Sequence, residues 1–179
     1  MHRLFFAMTP DDGLRRDIAS LAQEQTLHLG GRAVRTERYH MTLQFVGDFD
    51  ALTPALHDSL LAAADSVAAP MPMELVLEQL GSFHAGRVIW LGCSKPHEAL
   101  TRLNADLAAA VSRAGIAIKA EDGFIPHVTV YRNGRVPMDR PVAPLRWRVT
   151  DFVLIDATAG EYRRLGRWPV TPGSITREC

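Results

Sequence analysis

His40-Met41-Thr42-Leu43 is repeated downstream as His127-Val128-Thr129-Val130: a histidine, an aliphatic residue, a threonine and another aliphatic residue. In an extended strand successive side chains point to opposite faces. His40 and Thr42 therefore share one face, and strict alternation assigns Met41, Leu43 and Phe45 to the other. The second copy reads alike, with Val128 and Val130 on the buried side. Two such strands side by side supply two imidazoles and two hydroxyls converging on one small anion. A single His-x-Thr triplet carries almost no information; what weights it is that both copies have matching surroundings. Arg3 leads the apolar run Leu4-Phe5-Phe6-Ala7-Met8, and Arg87 leads Val88-Ile89-Trp90-Leu91. Each run precedes a helical pattern, a loop and then the motif strand. This is the signature of an internal duplication with two lobes related by a pseudo-twofold axis, and two copies do not make a solenoid.

The rest of the chain is consistent with one bilobal domain over 1–179. Asp11 and Asp12 open a helical pattern through Leu14, Ile18, Leu21 and Ala22, closed by Gly30-Gly31 before a basic loop to residue 38. The motif strand is expected over 39–46, ending at Gly47-Asp48. Thr53-Pro54 starts a second helix with Leu56, Leu60, Ala64 and Val67 on one side. Strands are expected over 73–80 and 87–92, joined by a turn from Gly81 to Gly86. Pro96 introduces a third helix, stopped by Gly115. Further strands are expected at 116–120 and 127–131, then a Pro-rich loop from 133 to 144 and strands near 146–156 and 161–168. Helices and strands mix without strict alternation, which predicts an α+β fold with largely antiparallel sheets.

Composition narrows the functions. The 179 residues are 47% apolar, enough for a sizeable core. Lys plus Arg and Asp plus Glu both number 20, so no global basic field exists to hold a long duplex. A small ligand or the end of a nucleic acid suits neutrality better. The two cysteines, Cys93 and Cys179, make no disulfide or metal framework. No leader or membrane-spanning run is recognisable, so a soluble cytoplasmic monomer is expected.

With these motifs the chain resembles the two-histidine (2H) phosphoesterases, in the RNA 2′,3′-cyclic phosphodiesterase branch also called LigT-like or 2′-5′ RNA ligase-like. The matching segments are R-L-F-F-A at 3–7, H-M-T-L-Q-F-V-G at 40–47, R-V-I-W-L-G at 87–92, P-H-V-T-V-Y-R at 126–132 and Y-R-R-L-G-R-W-P-V at 162–170. The resemblance implies two α+β lobes around a central cleft and metal-independent hydrolysis of RNA or nucleotide 2′,3′-cyclic phosphates, with reversible 2′-5′ ligation as a further activity. It also implies loss of the 3′-oxygen, leaving a 2′-phosphate.

The chemistry asks for these residue types. Opening a cyclic phosphodiester with water needs one group to take a proton from the nucleophile and another to give one to the departing ribose oxygen. Histidine can do either near neutral pH. His40 and His127 are therefore the expected catalytic pair, with His40 protonating the 3′-oxygen and His127 handling the water. Thr42 and Thr129 are donors for the charge that develops on the non-bridging oxygens. Arg132 matches a phosphate contact of the family; alternation would send it to the wrong face, so the strand must end or bend there, and its other reading is a rim salt bridge. Arg32, Arg35 and Arg38 either draw an RNA 3′ end through its phosphates or form a solvated loop. Phe5, Phe45 and Phe83 are the aromatic candidates for base stacking, with Phe83 preferred and the other two read as core. His84 beside it reads as a surface residue or a substrate contact, and His2, His28, His57 and His97 as ordinary surface or packing residues. No cofactor and no metal is expected, since two histidines on separate strands lack a third ligand. The competing readings are a nucleotide-binding regulatory module without turnover and a zinc-dependent hydrolase.

Overall fold

The computed structural model describes residues 1–26, 31–67, 73–83, 87–118, 123–158 and 160–170. His28, Gly30, His84 and Gly86 lie outside these residues, as do 119–120 of the strand expected at 116–120. Among the described residues nine strands run β1 (His2–Met8), β2 (Arg32–Ala33), β3 (Met41–Phe49), β4 (Met73–Phe83), β5 (Val88–Gly92), β6 (His127–Arg132), β7 (Arg140–Val149), β8 (Asp151–Thr158) and β9 (Glu161–Pro169). The α-helices described with them are α1 (Asp12–Thr26), α2 (Pro54–Asp65) and α3 (Glu98–Arg113).

The helix starts follow from sequence chemistry. Asp11 accepts from the Leu14 N–H at 2.8 Å at the head of α1. Thr53 caps α2 by accepting from Leu56 N–H, with Pro54 in the first turn. Both satisfy backbone donors that a helix start leaves unpaired. Gly115 at φ 78° ends α3, in the left-handed region glycine tolerates.

Strand order across the sheet is β7-β4-β5-β6-β3-β1-β8-β9, every pairing is antiparallel, and β2 attaches to β6. The two motif strands meet at its centre through one residue pair, Met41 with Val128. Stepping outward, each motif strand is followed by its Arg-led apolar strand, β5 on one side and β1 on the other. The helices cross this seam. α1 leaves β1 yet packs on β7 and β6, while α3 leaves β5 and packs on β3 and α2. Leu4, Phe6 and Met8 of β1 enter the large core with Met41, Leu43, Ile89, Leu91, Val128, Val130 and the apolar face of α3. Each fully buried side chain of this kind contributes roughly 1.5–3 kcal/mol. Phe5 and Ala7 point to the opposite face and form a second cluster with Val153 and Ile155.

Several expected boundaries move. The Pro-rich stretch is not loop throughout: β7 begins at Arg140 and carries Pro141 and Pro144, which an edge strand permits because its outer N–H groups need no partner. β3 runs on through Gly47 and Asp48, which pair with Leu4 and Arg3. Residues 116–118 form no strand, and the expected strand near 146–156 is two strands separated at Thr150. The basic loop holds the short strand β2 and a 3₁₀ turn, Thr36–Arg38.

Alternation fails at one informative place. Phe6 pairs with Gln44 and Ala7 with Thr42, so Leu43 is an extra residue, a β-bulge. The bulge keeps Leu43 in the core and turns Phe45 away from Met41 and Leu43, onto the face of Phe5 and Ala7. The counterpart lies in β6, where Trp90 pairs with Thr129 and Ile89 with Tyr131, leaving Val130 as the extra residue.

Candidate functional site

The antiparallel pairing of Met41 with Val128 sets His40 opposite Thr129 and Thr42 opposite His127. The bulge at Val130 brings Arg132 round to the same face, the bend its position required. A cavity of about 180 Å³ is lined by His40, Thr129, Arg132, Arg32, Arg35, Arg38 and Tyr162, among others. Among the described residues neither threonine hydroxyl has a hydrogen-bond partner, so both can donate to a ligand.

The two imidazoles are held alike. His40 Nδ1–H donates to the Arg38 carbonyl at 2.7 Å, and His127 Nδ1–H donates to the Ile125 carbonyl at 2.7 Å. A carbonyl only accepts, so Nδ1 carries the proton in each ring and Nε2 is the atom for proton transfer. Their walls differ. His40 is packed between Phe5, at 4.9 Å between ring centroids, and Tyr162, at 5.4 Å. Burial pushes its pKa down to about 4; nearby His127 and Arg132 add to the fall, and the bond to the Arg38 carbonyl only partly opposes it. His127 stands edge-on to Phe83, 4.8 Å between centroids at 83°, with Trp90 behind at 6.3 Å. Trp90 in turn lies over Gly81, where any Cβ would meet its ring at 2.3 Å.

The remaining candidates separate. Phe83 ends β4 against His127, where a turn was expected, and Phe5 is core against His40. Phe45 lies on the cleft face of the sheet with Arg3 over its ring at 5.8 Å. Arg38 is held by the Gly160 carbonyl and stacks on Tyr162. Of the surface and packing readings of His2 the structure shows packing: it bonds the buried Asp156 at 2.9 Å. His57 bonds Asp58, and His97 precedes α3 with its Nδ1 buried. Sequence reasoning missed Tyr162 as a wall of the site; its only signal was its place in the Y-R-R-L-G-R-W-P-V segment. Among the described residues no group of three His, Cys, Asp or Glu side chains could hold a metal ion, and no helix is long and apolar enough to cross a membrane.

A family model for the 2′-5′ RNA ligase superfamily matches residues 10–161. The chain belongs to this superfamily. Among superfamily relatives, the RNA 2′,3′-cyclic phosphodiesterase of Escherichia coli K12 is 28% identical over 175 residues, 94% of this chain and 97% of that one. The RNA 2′,3′-cyclic phosphodiesterase of Archaeoglobus fulgidus is 30% identical over 142 residues, 78% of this chain and 75% of that one. The crystal structure of E. coli LigT complexed with 3′-AMP superposes with a TM-score of 0.81 at 26% identity, covering 95% of this chain and 98% of the other.

Proposed function

We propose that this protein hydrolyses 2′,3′-cyclic phosphates at RNA 3′ ends or on nucleotides, by acid–base catalysis between His40 and His127 without a metal, giving a 2′-phosphate. The observation that carries this reading is the shared face: two imidazoles with equivalent Nδ1–H bonds, two threonine hydroxyls and Arg132 around one seam. The printed activity of relatives spanning nearly the whole chain supports the substrate class.

The lowered pKa of His40 supports the opposite assignment from the one expected from the sequence. A ring that is neutral at pH 7 accepts a proton, so His40 takes it from the attacking water and His127 protonates the departing 3′-oxygen. Each charge state supports the other, since a protonated His127 disfavours a second proton on His40. Thr42, Thr129 and Arg132 hold the non-bridging oxygens, where preorganised donors are worth roughly 2.7–4 kcal/mol in other enzymes. Phe83 is the stacking candidate for the base. In-line displacement puts water and leaving oxygen on opposite sides of phosphorus, as two histidines across a seam require. With a 5′-hydroxyl in place of water as nucleophile, the same groups would open the cyclic phosphate into a 2′-5′ linkage while the 3′-oxygen leaves as its hydroxyl, which is the 2′-5′ ligase reading.

The test is turnover of a nucleoside 2′,3′-cyclic phosphate in chelator, with the product isomer read by phosphorus NMR. The 2′-phosphate should form at an undiminished rate. A 3′-phosphate would mean that the ribose sits reversed. Binding without turnover would favour the regulatory-module reading, and loss of activity restored by zinc would favour a metal enzyme.

A further inference from the structure

The two halves of the cleft match in their reacting groups and differ at their ends. The pseudo-twofold relates His40 to His127, Thr42 to Thr129, Arg38 to Ile125 and, three residues beyond each threonine, Phe45 to Arg132. Among the described residues one end is thus largely apolar, with exposed Ile125 and with Phe45, whose ring faces Arg3 in its pair with Asp48, while Phe83 lies against His127. The other is cationic, with Arg32, Arg35, Arg38 and Arg132 lining one cavity. Of these four, Arg38 and Arg132 have the apolar counterparts Ile125 and Phe45 in the repeat.

The cationic loop is also fastened in place. β2 pairs Arg32 with Arg132 and Ala33 with Tyr131, and Val34 N–H donates to the Val130 carbonyl at 2.9 Å. Gly31, at φ 99°, lies so close that a Cβ would come within 2.8 Å of the Arg132 carbonyl oxygen. Arg38 is already engaged with Gly160 and Tyr162. Arg32 has no carboxylate partner among the described residues, and Arg35 reaches Glu37 only at 3.9 Å with both side chains exposed, a pairing worth little. Among the described residues, two arginines are therefore held beside the Arg132 phosphate position without a close carboxylate.

A terminal nucleotide offers two exits from its ribose, the base and the 5′-phosphate. A neutral aromatic base suits the apolar end and an anionic phosphate the cationic end. We propose that Arg32 and Arg35 form a second phosphate subsite for the phosphoryl group on the 5′ side of the terminal nucleotide, so that the preferred substrate is an RNA 3′ end rather than a bare nucleoside cyclic phosphate. This rests on the cyclic phosphodiesterase reading above and adds which members of that substrate class the site selects.

The experiment compares adenosine 2′,3′-cyclic phosphate with and without a 5′-phosphate, so that one group is the only difference. The wild type should show a kcat/KM about tenfold higher with the 5′-phosphate, the size of one charge-assisted hydrogen bond. That advantage should shrink as salt rises. Arg32→Gln/Arg35→Gln should erase it, costing the compound with the 5′-phosphate about tenfold more than the compound without it. Indifference of the wild type to the 5′-phosphate, or equal losses on both compounds, would overturn the subsite. Calorimetry of adenosine 2′,5′-bisphosphate against adenosine 2′-monophosphate reads the same discrimination without turnover. If neither cyclic compound is hydrolysed but the bisphosphate binds about tenfold tighter in the wild type alone, the subsite stands and the catalytic reading falls. Equal affinity for the two would remove the subsite whatever the activity.

Discussion

Enclosing the His40 ring between Phe5 and Tyr162 has consequences for stability and for catalysis. Its pKa is about 4 in the folded chain against 6.5 when unfolded. Between those values the unfolded state binds the extra proton, so stability is full above pH 6.5 and declines as pH falls toward 4. The loss should approach about 3 kcal/mol, the gap between the two pKa values expressed as free energy. His40→Gln should lack most of that acid-side decline. Urea midpoints at pH 7 and near pH 4 for both proteins give the answer, and parallel curves would show that His40 is not the responsible group. The same shift should carry the acidic limb of kcat/KM well below the ordinary histidine range if His40 is the base. His40→Ala and His127→Ala should each cost about 10²–10⁴-fold in rate, as general acid–base groups do. The double variant should be scarcely slower than either single one, because the pair acts as a unit. A single variant keeping more than about a tenth of the rate would contradict that range.

At the scale of the strand, what was legible and what was not divides along the bulges. Alternation placed His40 with Thr42 and His127 with Thr129, because each pair lies on the regular side of its bulge. It misplaced Phe45 because the extra residue, Leu43, is an ordinary core leucine with no local mark of irregularity. Arg132 was recoverable only because a family resemblance outvoted strict alternation. The prolines of β7 hid a strand for a related reason: edge position is a property of the whole sheet, invisible in the segment. His2 was left open between surface and packing because its partner is remote in sequence. Asp156, 1% exposed, takes hydrogen bonds from His2, Thr158 and Arg163, and the last strands are thereby tied to the chain's first residues. Burial pushes the Asp156 carboxyl up, but those three bonds together hold it below the ordinary carboxylate range. Its stabilisation is therefore present above the unfolded pKa and lost as pH falls through the folded one. Asp156→Asn should cost about 1.5–3 kcal/mol at pH 7, the worth of hydrogen bonds to a charged group. The difference from wild type should vanish in acid, where the native carboxyl is itself protonated. A gap in urea stability that persisted at low pH would assign the cost to packing instead.

On the scale of the molecule, the repeat announced two halves but not how they are joined. In the sheet the motif strands touch through the Met41–Val128 pair, and the two-residue β2 of the first repeat adds its pairing to β6, a slender link for two independent units. What binds them is the exchange of helices across the seam, α1 onto β6 and β7 and α3 onto β3. Neither half can cover its own apolar face without the other's helix, so the chain should unfold as one cooperative domain. The three tryptophans make this testable, because they are unevenly divided. Trp90 and Trp147 lie in β5 and β7, on one side of the seam. Trp168 lies in β9 on the other, stacked on Phe152 at 5.3 Å and donating to Asp65 of α2 at 2.6 Å. A Trp90→Phe/Trp147→Phe variant reports one half by fluorescence, and a Trp168→Phe variant reports the other. Each substitution lowers stability by its own amount, so the comparison is made within a variant, fluorescence against far-UV circular dichroism. The two urea midpoints should coincide in both variants. A fluorescence midpoint displaced from the circular dichroism midpoint in either one would mean that the halves unfold separately and that the helix exchange does not couple them.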